Sequence, residues 1–208
     1  MSISPIDDTT RLLLIRHGQT AHNRIGIIQG HSNIPLEERG IEQAKALRDR
    51  LENESINQIY ASDLDRASQT AEIVAEPHDL MVCTIPELRE RCFGIFEGRS
   101  KNDLVVAVEE AGESYSTFRP CEGENVTDAV ARSLPTIENI VQSFIGETIV
   151  IVAHGSLNRA IISSILCGDC SLTDRFTQAN TAINEIKYDG GWNVQRINDT
   201  AHLESTTY

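Results

Sequence analysis

Nowhere in its 208 residues does the chain reach the roughly 18 consecutive apolar residues of a membrane-crossing helix, and the opening MSISPIDDTT has no charged-then-apolar leader pattern. No membrane association and a cytoplasmic location are therefore expected. Positive charge is also scarce. Lys and Arg number 18 against 31 Asp and Glu, a net charge of −13 and a pI near 4.8. Nucleic acid and anionic membranes would be repelled at long range, so an anionic partner needs a local positive pocket. The cysteines are few and odd in number: Cys83, Cys92, Cys121, Cys167 and Cys170. Free thiols are expected, and Cys167-Gly-Asp-Cys170 has no second pair at zinc-like spacing, so it reads as a surface loop after a helix. Internal repeats and low-complexity linkers are absent too. The composition, 40% hydrophobic, allows one domain over 1–208 with its core over about 11–198.

What is present begins with the apolar run Leu12 to Ile15, which stops at Arg16-His17-Gly18. That pattern predicts a buried parallel strand delivering polar side chains to its C-terminal edge, where open α/β sheets place their ligands. Thr148 to Ala153 repeats the arrangement and ends in His154-Gly155, before a helix-like segment from Leu157 to Leu166. Between them, strands and helices alternate. Glu37 to Leu51 places Ile41, Ala44, Leu47 and Leu51 on one helical face, and Ile56 to Ala61 is a short strand. Ser62 is placed to cap a helix that buries Leu64, Ala67, Ala71 and Val74. A weaker strand spans Met81 to Ile85. Asn125 with Asp128 starts a helix running towards Phe144, and Asp189-Gly190-Gly191 turns a C-terminal hairpin between Ile183 to Ile186 and Trp192 to Ile197. The fold class is α/β, a three-layer α/β/α sandwich with a mostly parallel central sheet. Met1 to Thr10 and Asp199 to Tyr208 are expected to be poorly ordered.

Two histidines at one sheet edge suggest a shared site. Arg16 adjoins the first, and Arg66 follows a strand end in the first turns of the Ser62 helix. Arginine forks match the oxygens of a phosphoryl group, and helix N-termini beyond Gly18 and Gly155 add N–H donors. A neutral histidine can attack phosphorus, and a carboxylic acid must then protonate the leaving oxygen. Glu90 is the candidate for that acid, with Glu87 its equal on chemistry alone. His22, His31, His78 and His202 lack a partner pattern and are expected in solvent-facing or loop roles. Phe93 and Phe96 are expected in the core, and Glu37-Glu38-Arg39 on a solvated helix face.

These residues together resemble the histidine phosphatase superfamily, which includes the cofactor-dependent phosphoglycerate mutases. The segments that carry the resemblance are LLLIRHGQTAHN, IQGHSNIPL, YASDLDRASQTAEIV, LRERCFGIFEG, PCEGEN and VAHGSLNR, in the family's order from Leu12 to Arg159. The resemblance implies that His17 is the phosphohistidine nucleophile, that Glu90 rather than Glu87 is the proton donor, and that Arg16, Arg66 and His154 clamp the phosphate. It also implies Asn23 as a further phosphate ligand with the Gly155 N–H beside it, and Gly30 where the loop approaches substrate. Asn23 could equally cap a turn, and Gly30 could serve only a positive φ. Family mutases carry a long insertion with paired arginines before the second histidine. This chain has only a short segment there, with Arg119 alone before Pro120. FRPCEGEN instead resembles the Gly-Glu-Ser or Gly-Glu-Thr loop of the phosphatase branch, with Asn125 departing at its last position. The implied activity is a phosphomonoesterase acting on a small phosphate ester, with no metal and no cofactor; the alternatives are a 2,3-bisphosphoglycerate-dependent mutase and a non-catalytic phospho-ligand-binding module. A homodimer is compatible with the family. Substrate choice is expected in loops around Gly30, Ser100 to Glu122 and Phe176 to Thr181.

Overall fold

The computed structural model describes residues 8–204. Its centre is a six-stranded sheet in the order β3-β2-β4-β1-β5-β6. β1 (Thr10–Arg16), β2 (Gln58–Ala61), β3 (Val82–Thr84) and β4 (Thr148–Ala153) run parallel, while β5 (Ile183–Tyr188), antiparallel to β1, and β6 (Trp192–Asp199), antiparallel to β5, form the expected hairpin at one edge. The apolar runs of β1 and β4 become the two central strands because neither side of them meets water. Leu12 and Leu14 bury to one face with Ile149 and Ile151, Leu13 and Ile15 to the other with Val150 and Val152. Fully burying one such side chain is worth about 1.5–3 kcal/mol.

Helices cover both faces. α1 (Ala21–Ile25) is a single short turn-like helix after β1. α2 (Glu38–Leu51) and α3 (Asp65–Ala75) lie on one face through Leu47, Leu51, Ala67, Ala71 and Val74. α4 (Lys101–Glu110) stands apart, packing Leu104 with Ile28, Phe93 and Phe96 in a small separate cluster. α5 (Val126–Ser143) and α6 (Gly155–Cys167) cover the opposite face through Ile137, Val141, Leu157 and Ile161. α7 (Ala201–Glu204) packs against α2. The three-layer α/β/α arrangement is as expected. Among the described residues, no helix is long and apolar enough to cross a membrane.

Several local expectations are corrected. Ile41 is exposed, and Gln43 takes the buried place on α2, where its Oε1 accepts the Gln19 N–H at 2.9 Å. Ser62 does not cap α3, whose N-cap is Leu64; the serine hydroxyl instead accepts the Leu64 N–H at 3.3 Å, before the helix begins. Asn125 does cap α5, in a reciprocal box with Asp128. Ser100 to Glu110 is a capped helix rather than a loop. All five cysteines are free, but Cys170 is buried among Val126, Val130 and Ala160 instead of on a surface loop. Thr10 is buried in β1, Asp199 ends β6 and Ala201–Glu204 form α7, with His202 buried where a solvent-facing or loop role was expected. The remaining terminal residues, 1–7 and 205–208, lie outside the described residues.

Candidate active site

β1 and β4 are hydrogen-bonded neighbours with Arg16 opposite Ala153, so the residues that follow emerge side by side. His17 N–H donates to Ala153 O at 3.0 Å, and the His17 and His154 rings meet edge-on with centroids 5.2 Å apart. His17 Nδ1 lies 2.6 Å from Gly18 O, which can only accept; Nδ1 therefore carries the proton and Nε2 the lone pair. Burial, reinforced by the Arg66 and Arg16 charges, holds the His17 pKa well below the ordinary imidazole value. His154 is depressed likewise, by burial first and by Arg66 next. Both rings are neutral at neutral pH.

The loop after β1 reaches this place because Gly18 lies against Gly40 of α2. A Cβ on Gly18 would meet Gly40 O at 2.5 Å, so only glycine permits the approach. The N–H groups near it are already used: Gly18 N–H goes to Thr70 Oγ1 at 3.0 Å, and Thr20 with Asn23 closes a capping box on α1. Of the N–H groups expected to open towards an anion beyond Gly18, those of Thr20 and Asn23 are thus closed within the capping box of α1.

Arg66, on the first turn of α3, is 1% exposed. Its two terminal nitrogens donate to Ser32 O at 2.9 Å and Gly30 O at 2.7 Å. Gly30 has φ 51°, and a Cβ there would overlap Glu97 Oε1 at 2.0 Å. Both properties of glycine are required, and together they place the carbonyls that orient Arg66. Arg16 donates from Nη1 to Gln178 O at 2.5 Å and packs beside Gly155, whose Cβ would sit 3.1 Å from Arg16 Nε. Burial lowers each guanidinium to about 10, which leaves both charged at neutral pH. Arg16 Nε, Arg66 Nε and both ring nitrogens of His154 are buried with no hydrogen-bond partner among the described residues. Buried donors without partners are uncommon, and several gathered in one place point to a missing acceptor.

Glu90 lines the same cavity, whereas Glu87 is exposed and does not. The Glu90 carboxylate caps α6: Oε2 accepts from Ser156 N–H at 3.0 Å and Oε1 from Leu157 N–H at 2.9 Å, with Arg91 N–H adding a third bond at 2.9 Å. The N–H groups expected to face an anion beyond Gly155 are instead taken by this side chain.

The cavity measures about 560 Å³, within the usual range for small-molecule sites. Arg16, His17, Asn23, Gly30, Arg66, Glu90 and Gly155 all line it. His154 does not; it adjoins the site through the ring of His17. Asn23 has a second role, its Oδ1 accepting from Thr20 N–H and Asn180 Nδ2 at 3.3 Å each. Phe93 is both core and cavity wall. Reading the sequence missed Lys101 and Arg159, two cavity-lining cations with no ion-pair partner among the described residues. It also missed the scaffold. Glu97 accepts from His31, Ser32 and Phe93 N–H, His31 Nε2 donates to Glu90 O at 2.8 Å, and Arg132 grips Glu124 at 3.0 Å while donating to Glu87 O and Arg89 O. Arg91, 1% exposed, straps the Tyr115–Glu124 segment through three carbonyls. The only advance signal was that arginines and glutamates crowd the LRERCFGIFEG and PCEGEN segments.

An α/β sheet edge that gathers two neutral histidines and two buried arginines has the chemistry that suits a phosphoryl group. The chain belongs to the histidine phosphatase superfamily (branch 1), whose family model matches residues 12–200. A probable phosphoglycerate mutase, GpmB, of Yersinia pestis (strain Pestoides F) is 31% identical over 204 residues, 93% of this chain and 95% of that one. A phosphoserine phosphatase of Entamoeba histolytica, solved with 3-phosphoglyceric acid, superposes with a TM-score of 0.84 at 29% identity, covering 93% of this chain and 99% of the other. A mycobacterial glucosyl-3-phosphoglycerate phosphatase solved with VO3 gives 0.82 at 28% identity, covering 90% and 98%. The relatives thus include proteins named as phosphatases and as mutases.

Proposed function

We propose that the chain is a metal-independent phosphomonoesterase that hydrolyses a small phosphorylated metabolite through a phosphohistidine at His17. The observation that carries this reading is the set of unpartnered buried nitrogens around a neutral His17 whose Nε2 holds a lone pair. Nε2 attacks phosphorus, the bond from phosphorus to the ester oxygen breaks, and the Glu90 carboxyl group gives the leaving oxygen its proton. Water then attacks the phosphohistidine, Glu90 takes its proton, and phosphate departs. Arg16 and Arg66, prepositioned by loop carbonyls, spread the charge of the transferring group. Asn23 and the Gly155 N–H complete the phosphate cradle, and His154 supports it from behind His17.

Lys101 and Arg159 refine the substrate class. Two cations without an ion-pair partner among the described residues, lining the same cavity as Arg16 and His17, suit a substrate with a second anionic group, in keeping with relatives named for phosphoglycerate compounds. Hydrolysis rather than mutase transfer is favoured by the short segment where mutases carry paired arginines. Rapid quench with labelled p-nitrophenyl phosphate tests the reading: the wild type should yield an acid-labile, base-stable phosphoenzyme, His17→Ala none, and turnover should survive EDTA. Full activity of His17→Ala would sink the assignment, and stimulation of isomerisation by 2,3-bisphosphoglycerate would favour the mutase. In the double variant Lys101→Met/Arg159→Met, the ratio of kcat/KM for 3-phosphoglycerate to that for glycerol 3-phosphate should fall about tenfold or more, the equivalent of about 1.4 kcal/mol. An unchanged ratio would remove the second anionic group from the proposal.

A further inference from the structure

Thr181 is buried and holds φ at 57°, a left-handed conformation that β-branched residues rarely adopt and that persists only where the surroundings enforce it. On one side of it lies the site. Thr181 N–H is shared between Arg16 O at 3.0 Å and His17 O at 3.3 Å, and the Asn180 side chain donates to His17 O at 3.0 Å. The same loop supplies Gln178 O, the acceptor that orients the Arg16 guanidinium. On the other side lies α7. The single hydroxyl proton of Thr181 goes to Asn180 O at 2.8 Å, which leaves its oxygen to accept from His202 Nε2–H at 3.0 Å. His202 Nδ1 is buried without a partner, so this bond is the ring's one polar tie among the described residues. A buried histidine spent on a single bond to a strained residue next to the nucleophile is hard to explain by packing alone.

We propose that His202 is a positioning residue: its Nε2–H holds Thr181 in the left-handed conformation that fixes the backbones of Arg16 and His17. It acts from the C-terminal helix and touches no substrate. Its kinetic consequence rests on the reading of His17 as nucleophile, while its structural consequence does not.

The test uses the full chain with His202→Leu and His202→Gln. Leucine fills the space without a donor; the glutamine amide can donate from near the Nε2 position. His202→Leu should lower kcat for p-nitrophenyl phosphate about tenfold, on the scale of one misplaced hydrogen bond, with KM little changed, and His202→Gln should restore most of it. The backbone amide resonances of Arg16 and His17 should move in the leucine variant and return in the glutamine variant, whether or not the wild type turns over substrate. Failure of the phosphatase reading is thereby kept distinct from failure of this one. In a Thr181→Gly background, where φ 57° carries no strain, His202→Leu should lose most of its effect. Equal behaviour of leucine and glutamine, an undiminished effect in the glycine background, or unfolding in both backgrounds would each overturn the proposal.

Discussion

Replacing Glu90 by glutamine separates the helix cap that this side chain forms from the proton donation proposed for it. The carboxylate accepts three N–H bonds, two of them from the first turn of α6. A glutamine keeps one oxygen for the Arg91 and Leu157 N–H groups and presents its NH₂ to Ser156 N–H, a donor facing a donor. The loss is one charge-assisted hydrogen bond, about 1.5–3 kcal/mol, and the favourable placement of a negative charge at a helix N-terminus, about 0.3–1 kcal/mol. A total of about 2–4 kcal/mol corresponds to a fall in Tm of about 5–15 °C for a chain of this size. Catalysis should respond differently. If Glu90 supplies the proton, an alkyl phosphate should lose about 10²–10⁴ in rate, because its alkoxide needs that proton, whereas nitrophenolate leaves with little help. At a temperature where near-UV circular dichroism matches the wild type, stopped-flow hydrolysis of p-nitrophenyl phosphate should show a burst of nitrophenol. A slow steady state should follow, since water then lacks its base. Glu87→Gln, exposed and outside the cavity wall, should leave both substrates alone. Equal losses on the two substrates would reduce Glu90 to a helix cap, and the leaving-group pattern in Glu87→Gln instead would show the wrong carboxylate had been chosen.

Arg66→Lys should cost about 10² or more in kcat/KM, since a single ammonium nitrogen cannot reproduce the planar fork whose two terminal nitrogens reach Ser32 O and Gly30 O separately; a variant within a few-fold of wild type would place the phosphate elsewhere. Gly30→Ala forces a side chain into a left-handed conformation and against Glu97, so thermal melts should drop by several degrees and activity should fall with the displacement of Arg66. An unchanged melt would show that the loop yields freely. His17 and His154 stay neutral when folded but take up protons when unfolded below about pH 6.5, so each makes stability fall with pH below that point, by up to about 1.4 kcal/mol per pH unit. Urea titrations between pH 7 and pH 5 should therefore show a shallower slope for His17→Asn than for wild type, and equal slopes would contradict the buried neutral ring. The same depression should keep His17, the proposed nucleophile, unprotonated below the ordinary imidazole range, and an acid limb of kcat/KM centred above about pH 6.5 would argue against it.

The parts of this protein written in its sequence are those whose partners lie within a few residues or along one strand. The run from Leu12 to Ile15 had to be a central strand because both its faces are apolar, and ending it at Arg16-His17 put those side chains at the sheet edge. The same held for Val150 to Ala153 and His154. Asn125 and Asp128 cap each other across three residues, and Asp189-Gly190-Gly191 turns its own hairpin, so both were legible. Motif order carried the family and the register that prefers Glu90 to Glu87. Folding decided everything that depends on chain segments far apart. Arg66 is aimed by carbonyls 34 and 36 residues earlier, Arg91 by carbonyls 24 to 33 residues later, and Arg16 by one 162 residues away. Any residue can offer a carbonyl, so no side-chain pattern announces which one will. For the same reason Gln43 displaced Ile41 from the buried face of α2, Glu90 took the end of α6, and His202 came to stand behind Thr181, placements set by the crossing of elements in space rather than by spacing along the chain.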